Sequence, residues 1–86
     1  MTPRHAGRVD APVFARLLKE FNAEFGDPAP ALEVLTARFA LLLDRDDVVG
    51  VVAEEGQPTG FALITLRPTP YHDGPLAALD ELYVVP

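Results

Sequence analysis

Leu79-Asp80-Glu81-Leu82-Tyr83-Val84-Val85-Pro86 decides the reading of this chain. Leu82, Val84 and the aromatic Tyr83 suit a pleated, mostly buried strand, and strict alternation puts the carboxylates of Asp80 and Glu81 on opposite faces of it. Pro86 ends the ladder because it has no N–H to donate. The strand therefore delivers the polypeptide, and two carboxylates with it, to one end of a sheet.

Working backwards, Arg67 to Pro75 is a Pro-rich loop, preceded by a hairpin. Phe61 to Leu66 is its returning strand, Glu54-Glu55-Gly56-Gln57-Pro58-Thr59 its turn, and Val48 to Ala53 its outgoing strand. Before the hairpin lie two apolar stripes at helical spacing. Leu32, Leu35, Phe39, Leu42 and Leu43 form one, ended by Asp44-Arg45-Asp46-Asp47. Phe14, Leu17, Leu18, Phe21 and Phe25 form the other, with Asp10 as N-cap, Pro12 in the first turn and Gly26 as C-cap. Asp27-Pro28-Ala29-Pro30 separates the two helices, with Phe25 read as core and Pro30 expected to open the second one. The expected order is a short strand, two helices and an antiparallel three-stranded meander in one α/β unit.

Composition bounds the function. An 86-residue chain forms at most one domain and buries only about 60–65% of its unfolded surface. With 49% hydrophobic and 23% charged residues it is globular. A net charge of −6 opposes non-specific binding to nucleic acid or to an anionic membrane surface. The absence of cysteine excludes disulfides, thiolate catalysis and Cys-ligated zinc. Its longest apolar run, Phe39 to Leu43, falls far short of the ~20 residues of a membrane span, and no signal pattern follows Met1. A cytoplasmic location is expected.

The closing segment resembles the fourth strand of the GNAT superfamily of N-acetyltransferases, whose acidic-apolar-aromatic-Val-x-Pro sequence runs into an Arg/Gln-x-x-Gly-x-Gly/Ala loop. Arg4-His5-Ala6-Gly7-Arg8-Val9-Asp10 is similar to the family's opening, Phe21 to Gly26 to the end of its first helix, and Gly60-Phe61-Ala62-Leu63-Ile64 to its third strand. Only Thr2 and Pro3 precede Arg4, so the first strand is expected to be nearly absent. The pyrophosphate-binding loop does not occur in these residues. The resemblance thus implies residues 1–86 as the N-terminal half of a GNAT domain, with a truncated reading frame or excised fragment explaining them at least as well as a complete small protein.

The resemblance also implies site residues. Backbone groups of Leu82, Tyr83 and Val84 match the segment that holds the pantetheine arm of acetyl-CoA and polarises its thioester carbonyl. Asp80 matches a carboxylate that serves as general base toward an amine in several polyamine-type members, and Glu81 competes for that role. Both also fit a solvated acidic pair near a strand end. Acetyl-CoA is expected of a full-length member and not of these residues alone, with a small-molecule or peptide amine as acceptor. The turn between the helices nominates Asn22, Glu24, Phe25 and Asp27 for the acceptor side, and the Pro-rich loop adds Tyr71 and His72. The plainer reading is preferred for them: Phe25 as core, Asn22 and Glu24 on the wet helix face, Asp27 in a turn, and His72 as an inert loop residue.

Asp44, Asp46 and Asp47, with Glu55 eleven residues after Asp44, form a poor calcium loop, because Val49 stands where glycine is required and a strand occupies the rest. No metal is expected. Val48 to Ala53 and Phe61 to Ile64 are apolar on both faces, as in a sheet covered on both sides. Two helices do not easily supply both layers. An apolar face and an unpaired edge at the last strand are therefore expected, which makes a homodimer through that strand, in a non-enzymatic α/β module, the competing reading.

Overall fold

The computed structural model describes residues 2–86. It contains β1 (Thr2–Ala6), a 3₁₀ turn (Arg8–Asp10), α1 (Ala11–Glu24), α2 (Leu32–Leu43), β2 (Val48–Glu55), β3 (Gln57–Arg67) and β4 (Leu76–Val84). The strands form one antiparallel sheet in the order β1-β2-β3-β4, so β4 lies at an edge among the described residues. This is the expected mixed α/β architecture.

Both helices cover the same face of the sheet. Gly50, Val52, Phe61, Leu63 and Tyr83 are buried on that face, and the Phe14, Phe39 and Phe61 rings meet with centroids 5.1 to 6.3 Å apart. Gly50 is needed for this approach, because a Cβ there would run into Leu43 and sit 3.2 Å from the Phe14 ring. Phe21 of α1 stacks on Tyr83 of β4 at 5.2 Å, which fixes the helix against the edge strand.

No described element covers the opposite face. Val51, Ala53, Ala62 and Ile64 are half-buried there, and Leu79 (58%), Leu82 (57%) and Val84 (50%) are exposed. Among the described residues this face is apolar beside β4.

The structure corrects several local expectations. β1 is not nearly absent: all five residues Thr2 to Ala6 pair with β2, from Thr2 opposite Glu54 to Ala6 opposite Gly50. The hairpin turn is far tighter than Glu54 to Thr59, because both strands continue to Glu55 and Gln57 and only Gly56 lies between them, at φ 79°. α2 begins at Leu32, beyond Pro30, and β4 begins at Leu76. α1 does end as expected. Gly26 at φ 71° lets its N–H reach the carbonyl of Ala23 while Asp27 N–H reaches that of Asn22, at 3.2 and 2.8 Å.

Asp10 occupies the N-cap position of α1, yet its side chain makes no cap bond. Its carboxylate instead accepts from the Arg4 guanidinium and from Gly7 N–H. Phe25 is 66% exposed and not core: it follows Glu24, the last residue of α1, and its ring meets that of Phe21 edge-on at 5.1 Å.

Candidate functional site

The β3–β4 register places the candidate residues. Phe61 pairs with Tyr83, Ala62 with Leu82 and Leu63 with Glu81, but Ile64 pairs with Leu79. Asp80 is thus the extra residue of a β-bulge, opposite no residue of its own. The bulge breaks the alternation expected of this strand: Leu79 and Leu82, three residues apart, both lie opposite residues of the open face. The strict alternation on which the expected placing of Asp80 and Glu81 rested therefore does not run through this strand. Glu81 shares the helix-facing side with Tyr83 and is half-buried, while Asp80 is exposed.

Backbone direction follows from the same ladder. Val85 N–H donates to Thr59 O at 2.8 Å, and the carbonyl of Tyr83 sits 2.9 Å from where a Cβ of Gly60 would stand. Antiparallel pairs alternate between bonded and non-bonded, so Tyr83 and Glu81 spend their backbone groups on β3 while Leu82 and Val84 turn theirs to the free edge. An extended ligand lying along β4 would meet donors and acceptors from Leu82 and Val84. Tyr83 contributes its ring to the helix-facing core instead.

On the helix-facing side, the sheet and helices leave a cleft of about 180 Å³. It is lined by Leu18 of α1, by Leu35, Arg38 and Leu42 of α2, and by Leu63 and Glu81 of the sheet. Beyond the end of this side, burial chiefly, followed by the carboxylates of Glu24 and Glu20, pushes the Tyr83 phenol above its ordinary pKa. Of the residues nominated between the helices, Glu24 is the one whose carboxylate bears on Tyr83. Asn22 contributes its carbonyl to the helix end, and Asp27 is an exposed turn residue.

Tyr71 and His72 lie exposed in the β3–β4 loop, where His72 Nδ1 faces the carbonyl of Gly74 at 2.7 Å. Asp47 is paired with Arg45 at 2.7 Å, and among the described residues no group of three or more acidic or histidine side chains is arranged to hold a metal. No helix among the described residues is long and apolar enough to cross a membrane. The sequence missed the Arg38–Glu81 cleft, since the two residues are far apart in the chain and the bulge that orients Glu81 arises from pairing alone.

No family model and no curated protein matches this chain. Solved structures do. A protein designated an acetyltransferase from Arthrobacter sp. FB24 is 45% identical over 100% of this chain and 55% of its own length, with a TM-score of 0.89. The integron cassette protein HFX_CASS3 from the mobile metagenome of Cole Harbour Salt Marsh is 29% identical over 98% of this chain and 56% of its own, at 0.86. A protein of Clostridium acetobutylicum designated a predicted acetyltransferase, solved with acetyl-CoA, shares the fold at 22% identity, over 99% of this chain and 60% of its own, at 0.77. The chain thus spans somewhat more than half the length of the structures it matches. By architecture and by these likenesses the chain has the fold of the GNAT-type acetyltransferases, over a span consistent with the N-terminal half of that domain.

Proposed function

We propose that these residues form the acetyl-donor and base side of an acetyl-CoA-dependent N-acetyltransferase acting on an amine. The observation that carries this reading is the set of backbone groups at Leu82 and Val84 that point away from β3, directly beyond a bulge at Asp80. Bound acetyl-CoA would supply an activated acyl group. An amide-containing arm is suited to such an edge, because it can add to the ladder as a strand would. Leu82 and Val84 hold that arm, and Tyr83 keeps the strand in place by its stack on Phe21.

An amine nucleophile must first lose its proton. Asp80, exposed in the bulge, is placed to accept it directly or through water, with Glu81 on the helix-facing side as the alternative. The described residues offer no glycine-rich helix start for a pyrophosphate, since α1 opens with Ala11-Pro12 and α2 with Leu32-Glu33. These 86 residues alone are therefore expected to show no binding to acetyl-CoA at micromolar concentration in calorimetric titration.

The test is acetyl transfer from acetyl-CoA to a panel of amines by a domain of the relatives' length that carries these residues. Thiol release with the amines and none without them supports the reading; a folded domain inert to every amine and blind to acetyl-CoA overturns it. The exposed Leu79, Leu82 and Val84 beside the same edge favour a second reading, a non-enzymatic module that pairs with its own copy through β4.

A further inference from the structure

We infer that the cleft between α1, α2 and the β3–β4 pair is a subsite for a small zwitterion with an apolar body, of the class of apolar α-amino acids. The inference deepens the acetyl-transfer reading by naming the acceptor class, and it rests on that reading for its purpose though not for its binding.

Charge comes first. Glu81 and Arg38 line the same cleft, yet among the described residues neither forms an ion pair, with each other or with anything else. A half-buried carboxylate and an exposed guanidinium on the lining of one apolar cleft, neither spent on the other, suit a ligand carrying both signs. Glu81 takes an ammonium and Arg38 takes a carboxylate, the latter suited to its two-pronged donor geometry. A polyamine would bring only positive charge and meet Arg38 unfavourably.

Size and walls narrow the class. The remaining lining is hydrocarbon, chiefly Leu18, Leu42 and Leu63, and suits a branched or aromatic side chain. At about 180 Å³ the cleft is smaller than the roughly 300–1,000 Å³ typical of drug-sized ligands, so a peptide or an aminoglycan ring system does not enter it whole. Its position also serves the chemistry. Glu81 adjoins the bulged Asp80, so an amine held by Glu81 lies one residue along the strand from the candidate base.

The experiment uses this chain and no acetyl-CoA. L-leucine is titrated against protein labelled at its leucine methyl groups, beside 4-methylpentanoate, which lacks the amine, and isopentylamine, which lacks the carboxylate. L-leucine should shift the Leu18, Leu42 and Leu63 methyls saturably, with each comparator about tenfold or more weaker, the worth of one charge-assisted contact. Arg38→Gln should reduce leucine to the level of isopentylamine, and Glu81→Gln to that of 4-methylpentanoate. Leu42→Phe fills the cleft without touching either charge and should abolish saturation, with thermal unfolding checking that each variant is folded. Absence of saturation in the wild-type chain, isopentylamine binding as tightly as leucine, or shifts confined to other leucines overturns the proposal. None of these results bears on acetyl-CoA, so the acetyl-transfer reading stands or falls separately.

Discussion

The guanidinium of Arg4 meets the carboxylate of Asp10 at 2.8 Å, and Gly7 N–H donates to the same carboxylate at 2.9 Å. One side chain thereby joins β1 to the start of α1. Arg4 also bonds Glu54 of β2, so the fork ties the first strand, its neighbour and the helix entry together.

Asp10 gives the fold an acid-sensitive element. The hydrogen bond from Arg4 chiefly, opposed by burial and aided by Gly7 N–H and the charge of Arg4, holds its carboxyl below the usual carboxylate range. A depressed folded pKa means that the stabilisation is fully present above the unfolded value of about 3.9 and is lost as pH falls below it. Asp10→Asn should cost about 1 kcal/mol at pH 7, a modest figure because Arg4 is half exposed and water screens the pair. Thermal unfolding between pH 7 and pH 2.5 checks this. The gap between wild type and variant should close at the acid end.

Gly50 supports a second prediction. A Cβ at that position would collide with Leu43 and lie 3.2 Å from Phe14 and 3.3 Å from Ala6, in a part of the core where α1, α2, β1 and β2 meet. Gly50→Ala should destabilise by about 1–3 kcal/mol, the usual cost of overpacking. In urea unfolding the midpoint should fall with the slope unchanged. Trimming Leu43 to alanine in the same chain should recover less than the insertion costs, because that change opens space of its own.

The helices and the central hairpin were legible in the sequence because their apolar residues recur at helical spacing or fill both faces of a strand. β1 was not, since Thr2, Pro3, Arg4 and His5 are exposed and carry no apolar alternation; pairing with β2 makes it a strand. Phe25 continues the spacing of the α1 stripe, yet it stands at the C-cap just past the helix's last residue and is exposed. At the site, the residue types of Asp80 to Val84 were legible and their directions were not. A bulge with no glycine to mark it leaves no signal in a single sequence, yet it decides which way Glu81 faces.

The two carboxylates should separate in a kinetic test on a domain of the relatives' length. If Asp80 is the base, Asp80→Asn should lower turnover by ~10²–10⁴-fold with little change in acetyl-CoA affinity, and the acidic limb of the pH profile should move. Glu81→Gln should be milder in turnover and act mainly on the KM for the acceptor, as expected of a group that holds the amine. Equal small effects for both would return the pair to solvated charges at the strand.

The β4 edge yields the last prediction, which separates fold from association. Val84 N–H points away from β3, whereas Tyr83 is bonded to it, so proline at these adjacent positions has opposite consequences. Val84→Pro removes one outward donor and is tolerated as prolines on edge strands are. Tyr83→Pro deletes a ladder bond and the ring stacked on Phe21 and should unfold the chain, with loss of circular dichroism at 25 °C. If copies associate by antiparallel pairing of β4, with the exposed Leu79, Leu82 and Val84 brought together, wild type should sediment as a dimer and Val84→Pro as a folded monomer. Wild type that stays monomeric and folds cooperatively at high micromolar concentration would rule out that pairing. Because Leu82 and Val84 supply the same outward groups in the proposed acetyl-transfer site, Val84→Pro should also raise the KM for acetyl-CoA in a domain of the relatives' length while leaving its unfolding temperature nearly unchanged.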